Sequence, residues 1–591
     1  MRRSANWTLL IGSLLALSIF VAACGGGGND SSNEQGANQG TPAQGKKGGT
    51  LTVLNAADVD FIDPGATYYQ VGFMVTNATS RGLYAFKPDD PVNAIPDLAD
   101  SDPQISSDGC KVTVKIRQGV KFSPPVNRAV TSKDVKYAIE RGFYNTVNNG
   151  YAGAYFGDLE GAKVGADPGT HIPGIKTPDD STIVFNLTKR PDGKCTGGVL
   201  AGALSLPLSA PVPESYAAKY DKPNPSTYGQ HQVNTGPYMV RNDASGKSVG
   251  YQAGKQIELV RNPNWDKSTD FRPAYADKIV ISEGNDDDTV ASRKILDGNG
   301  MVNGDFSPPP QILKQIQNDK STLALAPTGG GRWISMNTTI KPFDNVNVRK
   351  AVVAGFDRNA LALTRGGKFL GDVPTHYIPP GVPGFDEAGG MQGPGYDFMS
   401  KPEGDMQLAA EYLKKAGYPS GKYTGNEKLL MVGDNSGVAA KTAEVAKENF
   451  SKLGFDVTLR LVTHDSMYTK FCNVPKADVA ICPNVGWLKD FSDAQTYLDP
   501  TFNGKNILPQ NNSNWSQLND PAVNAEMEKA KTLTDPKQRA QTWADIDKKV
   551  TELAPAIPWY WDKDALIHSK DVNGVVNQFN ALFDLAFTSL K

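Results

Sequence analysis

The apolar run from Thr8 to Val21, with Arg2 and Arg3 before it and Ala22-Ala23-Cys24 behind it, fixes the compartment in which this chain must fold. A basic start, a short apolar stretch and small residues at its end make an export signal. The run is shorter than the roughly 20 residues that cross a bilayer, and Gly12, Ser13 and Ser18 interrupt it, which argues against a membrane helix. Ser4-Ala5-Asn6 follow the arginine pair where apolar residues would mark twin-arginine export, so the general secretory route is favoured. Residues 1–23 are read as a signal peptide. Residues 24–48, rich in Gly, Asn, Gln and Ser with little to bury, read as a flexible tether.

Val21-Ala22-Ala23-Cys24 resembles the lipobox of bacterial lipoproteins, in which the signal is cut before the cysteine and the thiol carries a diacylglycerol. The resemblance implies that Cys24 is the first mature residue and the lipidation site. The membrane is then a partner through that anchor, and the protein sits on the outer face of the bacterial cell membrane. Buried methylenes contribute about 0.8 kcal/mol each, so two acyl chains hold a protein that one would let exchange. The plainer alternative is an ordinary signal peptide with an incidental cysteine.

Outside the cytosol thiols tend to pair, and Cys110, Cys195, Cys472 and Cys482 remain, with three possible connectivities. Cys472 and Cys482 would close a small loop and are the expected pair, which leaves Cys110 with Cys195 by default. A zinc site is the rival, but there is no Cys-x-x-Cys and no histidine nearby in sequence. The formal charge of −2 across 591 residues is near balance, and nothing suggests nucleic acid. The length allows several lobes, each with its own core.

Order is expected from Gly49, where Thr50 to Leu54 alternate like a strand. Val112, Val114 and Ile116 after Asp108-Gly109, and Ile183, Phe185 and Leu187 after Asp179-Asp180, each form one face of a strand. Thr131 with Asp134 caps a helix whose stripe is Val135, Ala138 and Ile139. Helices near 405–416 and 436–453 end at Gly417 and Gly454, and a strand Val457–Leu461 follows. Asp535-Pro536 opens a helix with Ala540, Trp543, Ile546 and Val550 at helical spacing. The pattern is α/β with mixed sheets.

Little of it looks catalytic. Gly246-Lys247-Ser248-Val249-Gly250 fits the Gly-x-Ser-x-Gly of serine hydrolases, but a nucleophile elbow needs a strand before and a helix after it. The flanks Pro237–Val240 and Gln256–Val260 both look like strands, so a hairpin loop is the better reading. A phosphate loop fails because Arg241 stands where its first glycine belongs. None of His171, His231, His376, His464 and His568 falls in a metal-ligand spacing, and Asp286-Asp287-Asp288 lacks the rest of a calcium loop and reads as a solvated turn. No enzyme, cofactor or metal is expected.

Short signatures then appear in a set order. They are Gly49–Val53 with Ile62-Asp63-Pro64, Ile95–Ala99 with Ser107–Gly109, Val114–Phe122 and Thr131–Val135, and Asn234–Tyr238 with Leu259–Pro263. Ile334–Asn337 with Pro342-Phe343, Val348–Val352 and Phe356–Arg358 follows, and Gly486–Phe491 comes last. Each is weak alone, but together the series resembles the extracellular solute-binding proteins of family 5, the peptide and nickel type serving ABC importers.

The resemblance implies a two-lobed periplasmic-binding-protein type II (Venus-flytrap) fold with an extra inserted domain. By signature order, lobe I is expected from 49–80, 230–325 and 561–591, the inserted domain from 81–229, and lobe II from 326–560. It implies a monomer that captures oligopeptides and delivers them to ABC permease subunits. In peptide-binding members the aspartate of Gly-Trp-x-x-Asp meets the peptide's α-amino group, which points to Asp490. The plain alternative is a surface aspartate paired with Lys489 or another neighbour. Trp487 is expected to wall the pocket, with Tyr68 and Tyr69 near the hinge; packing would explain all three equally. Phe491-Ser492-Asp493-Ala494 replaces the aromatic-Pro-Asp-Pro run common in peptide binders, which leaves open a nickel chelate, sugar or haem as ligand. A secreted hydrolase using Ser248 is the alternative from another class.

Overall fold

The structure, a computed structural model, describes residues 45–591 apart from Asp58 and Asn148. Cys24, the signal segment and the tether as far as residue 44 lie outside the described residues.

Three sheets organise the chain. In the first, the strand Thr50–Leu54 lies parallel to both Lys278–Ser282 and Met301–Asn303. Gln256–Arg261 continues the sheet antiparallel to Lys278–Ser282, with Tyr238–Val240 at the edge. Alternation drives this pairing: Leu51, Val53, Ile257, Leu259, Ile279 and Ile281 are all fully buried, against Met74, Val75 and Ala78 of the helix Gln70–Thr79.

The second sheet runs in the order Gly371–Asp372, Ala556–Ile567, Leu323–Met336, Ile481–Leu488, Lys428–Asp434, Asp456–Val462. Its last strands are parallel and are joined by the helix Gly437–Lys452, which ends where Gly454 adopts φ +98°. The long strands Leu323–Met336 and Ala556–Ile567 are antiparallel, with their register broken between Pro327 and Gly331. The Cys472–Cys482 disulfide, Cα atoms 6.2 Å apart, joins the segment after Asp456–Val462 to the strand Ile481–Leu488.

The third sheet is antiparallel, Gln104–Ile105, Lys111–Lys115, Thr182–Asn186 and Ile175–Asp179. Val112, Val114, Ile183 and Phe185 face Val135 and Ile139 of the helix Ser132–Arg141, all with no exposed surface. Thr131 and Asp134 form the capping box, and the Arg128 guanidinium grips Asp134 at 2.6 and 2.8 Å. Cys110 and Cys195 are bonded, with Cα atoms 4.8 Å apart. One local expectation is corrected: the Asp286–Asp288 run is solvated but is also a helix start, Asp287 accepting from Thr289 N and Val290 N ahead of the helix Asp288–Asp297.

Arg141, at the end of its helix, is wholly buried between two carboxylates. Its Nη1 and Nη2 donate to Asp63 at 2.8 Å each, and Nε and Nη2 donate to Asp221 at 2.9 and 2.7 Å. Tyr137 and Ser226 donate to Asp221 as well, and the Tyr228 ring lies 4.7 Å from the guanidinium. Asp63 opens the loop leading to Tyr68, and Asn149 donates to Gly65 O at 2.8 Å within that loop. The clamp therefore fixes the approach to the helix Gln70–Thr79 against the segment carrying Tyr151 and Tyr155. Arg141→Met leaves two buried carboxylates without a cation. It is expected to destabilise the protein by about 3–5 kcal/mol, read as a lower urea midpoint, and an unchanged midpoint would refute the clamp's role.

Candidate functional site

A cavity of about 310 Å³ is lined by residues of the segments 68–73, 328–332, 486–490 and 579–580, with Tyr151, Tyr468 and Asp562. Its walls include Tyr68 and Tyr151, Arg332 on a long central strand, Trp487 to Asp490 at the end of a neighbouring strand, Asp562, and Phe579. The strand Ile481–Leu488 reaches the cavity because Gly330 and Gly331 pair with Leu488 and Trp487. A Cβ on Gly331 would stand 2.7 Å from Tyr497 Oη.

Asp490 faces the cavity with its carboxyl held by hydroxyls alone. Tyr155 donates to Oδ2, and Tyr68 donates to Oδ1 at 3.5 Å. The tyrosines are arrayed by local geometry. Asn149 Oδ1 accepts from Tyr151 N and Ala152 N at 2.8 and 2.6 Å, starting the short helix Ala152–Tyr155 that presents Tyr155. Asp60 accepts from the backbone N of Tyr69 at 3.0 Å and also from that of Tyr68, and the Tyr68 ring stacks on Tyr151 with centroids 5.0 Å apart. Tyr155 packs edge-on against Phe491. Burial raises the Asp490 carboxyl to about 7, against the lowering effect of the two tyrosine hydrogen bonds.

Lys489 does not pair with Asp490. The residue is 9% exposed, its Nζ has no hydrogen-bond partner, and the ammonium lies 5.0 Å from the centre of the Phe579 ring. Burial lowers its pKa to about 7. Arg332, by contrast, is compensated, with Nε 3.0 Å from Asp562 Oδ2.

The structure brings Asp490, Trp487 and Tyr68 to one cavity. Tyr69 is 63% exposed and stands outside that lining. Trp487 is half-buried, its indole donating to Thr496 O at 2.9 Å, so it serves packing and wall together. Sequence reasoning missed Tyr151, Tyr155, Arg332, Asp562 and Phe579, and it treated Lys489 only as a partner for its neighbour. The aromatic pair at i and i+4 behind Asn149 was the one available signal. Phe491-Ser492-Asp493-Ala494 is structural: Asp493 accepts from Arg539 Nε at 2.7 Å and from Gln495 N at 2.8 Å, at the start of the helix Gln495–Phe502.

Ser248 lies in the connection between the antiparallel strands Tyr238–Val240 and Gln256–Arg261, with no helix behind it. Its buried hydroxyl has no hydrogen-bond partner, so no base is in place to activate it. His376 is buried against Asp547 and His464 bonds Asp434. Among the described residues no group of three or more His, Cys, Asp or Glu could hold a metal ion, and no helix is long and apolar enough to cross a membrane.

The model of bacterial extracellular solute-binding proteins, family 5 Middle, matches residues 93–509. The chain is 25% identical over 581 residues to oligopeptide-binding protein OppA of Bacillus subtilis, covering 97% of both chains. It is also 25% identical to heme-binding protein A of Haemophilus influenzae, covering 92% of each. Among solved structures, clavulanic acid biosynthesis oligopeptide binding protein 2 superposes with a TM-score of 0.79 at 26% identity, covering 92% of this chain and 96% of that one. With the two-lobed α/β architecture and a match over most of its length, the chain belongs to the bacterial extracellular solute-binding proteins of family 5.

Proposed function

We propose that this chain is the lipid-anchored receptor of an ABC importer, capturing peptides between its lobes with the peptide ammonium on Asp490. The observation that carries the reading is a half-buried carboxyl on a cavity wall, hydrogen-bonded by Tyr68 and Tyr155 and in contact with no cation. A buried carboxylate stabilises a cation brought to it far more than a solvated one does. Relatives named for oligopeptide binding support the peptide. Lipidation at Cys24, a monomeric state and docking to permease subunits belong to the same proposal.

The proposed division assigns the first sheet to lobe I (49–80, 230–325, 561–591) and the third to an inserted domain (81–229). The second sheet lies chiefly in lobe II (326–560). The strands Leu323–Met336 and Ala556–Ile567 pass unbroken through residues 325–326 and 560–561, which makes them the natural hinge. The haem-binding relative supports a second reading, a non-peptide solute in the same cleft. Mass spectrometry of ligand released from the purified protein separates the two.

Three outcomes are expected. Trialanine binding, measured by calorimetry, should weaken about 10- to 100-fold in Asp490→Asn, the loss of one charge-assisted hydrogen bond. A neutral sugar or haem that bound wild type and variant equally would instead favour the second reading.

Binding should also depend on pH. Asp490 titrates near 7 in the free protein, and an ammonium on it favours the ionised form, so binding expels a proton. Trialanine affinity should fall about tenfold per pH unit below 7 in wild type and stay flat in Asp490→Asn over the same range.

Stability without ligand should show the opposite face of the same burial. A carboxyl raised from 3.8 to about 7 contributes its stability below 3.8 and loses it as pH rises through 7. Asp490→Asn should therefore melt a few degrees above wild type at pH 8 in scanning calorimetry, with the gap closing toward pH 4. A constant gap would contradict the burial argument.

A further inference from the structure

The buried amine of Lys489 is the one charged group of the cavity that nothing above employs. Among the described residues it is the single lysine whose buried Nζ lacks any hydrogen-bond partner. Buried ammonium groups are ordinarily paired, because an unpaired one forfeits its hydration without return. The protein nevertheless builds a place for it. The backbone N of Lys489 donates to Gly329 O at 3.1 Å, and the Phe579 ring lies beneath the ammonium. Gly329 has φ +66°, and a Cβ there would come within 2.3 Å of Nζ, so the bare backbone gives the amine room where it now lies. The nearby cation Arg332 is held by Asp562, which Arg365 shares at 3.5 Å, and the hydroxyls around Asp490 serve that carboxyl. Lys489 is thus the cation of the cavity left without an anion.

We propose that Lys489 is the anion-receiving pole of this cavity, and that its ligand is a short zwitterion whose carboxylate rests on Lys489 while its ammonium rests on Asp490. The inference rests on the Asp490 reading above and adds the second pole and a length. Neighbouring Cα atoms are about 3.8 Å apart, so charges on a lysine stem and an aspartate stem beside it are separated by about 12 Å at most. An extended peptide advances at most about 3.6 Å per residue, so about three residues can reach both poles. A longer chain in extended form would overshoot them. Burial without compensation, which lowers the Lys489 pKa to about 7, fits an amine that completes its charge only when a carboxylate arrives.

The test is a calorimetric comparison of trialanine with trialanine C-terminal amide, and of each with its N-acetylated form, on wild type, Lys489→Met and Asp490→Asn. Methionine keeps an unbranched stem of similar length and removes the charge. Wild type should prefer the acid over the amide by tenfold or more, and Lys489→Met should lose that preference while still folding, with a melting temperature no lower than wild type. A merely structural lysine would not change acid-over-amide selectivity. A preference that survives in Lys489→Met, or is absent from wild type, overturns the Lys489 assignment alone. Selectivity that depends on Lys489, with N-acetylation tolerated equally by wild type and Asp490→Asn, overturns the Asp490 reading instead. No binding of any of these peptides to wild type overturns both.

Discussion

Arg141 is the residue on which the geometry of the cavity depends. Its side chain ends a helix of the region expected to be inserted, yet it spends two of its four hydrogen bonds on Asp63, which lies 78 residues earlier at the mouth of the loop toward Tyr68. The other half goes to Asp221. A guanidinium suits this position because its planar fork binds two carboxylates at once, and it stays charged when buried. A lysine could not make both bidentate contacts. The clamp sets where Tyr68 enters the cavity relative to Tyr151 and Tyr155, and those two set how the Asp490 carboxyl is held.

The same chemistry recurs away from the cavity. Asp97, from the Ile95–Ala99 signature, accepts from Arg81 Nε at 2.7 Å and from Arg272 Nη2 at 2.8 Å, and Asp270 accepts from Arg272 at 3.0 Å. In each cluster every buried carboxylate touches a buried guanidinium, Asp63 and Asp221 sharing Arg141 and Asp97 and Asp270 meeting Arg81 and Arg272. The cavity breaks that pattern. Asp490 meets hydroxyls, and Lys489 meets an aromatic face. Groups left in this condition are costly to the free protein, and that cost is the ground for proposing that compensation comes from outside.

The scaffold was largely legible because its signals are local. Alternation in Thr50–Leu54, the Thr131–Asp134 box and the glycines at 417 and 454 act within a few residues, and each appears in the structure where the sequence puts it. The signatures around Asp63 and Asp97 were legible as patterns but not as physics, since their partners Arg141 and Arg272 are 78 and 175 residues away. The cavity was legible only at Asp490 and its flank. Tyr155 is 335 residues from Asp490, and no periodicity announces such a meeting. Lys489 misled for the opposite reason. Adjacent opposite charges suggest a pair, but side chains of consecutive residues leaving a strand diverge, and these two reach different parts of one cavity.

The hydroxyls on Asp490 also shape what binding can achieve. On the proposed reading an arriving ammonium does not find a bare carboxylate; it competes with Tyr155 and Tyr68 for the same oxygens. The gain is therefore only the difference between an ion pair and the hydroxyl contacts it displaces or shares. A receptor that must release its cargo to a permease benefits from that moderation. Tyr155 belongs to the segment braced by Arg141 and Asn149, whereas Asp490 ends a strand paired with the Gly329–Gly331 break. Displacing the tyrosine thus alters the contact between those two regions at the moment of capture. An equilibrium between open and closed lobes responds only to such differential contacts, and under the proposed reading the Tyr155–Asp490 hydrogen bond is one that ligand displaces or shares.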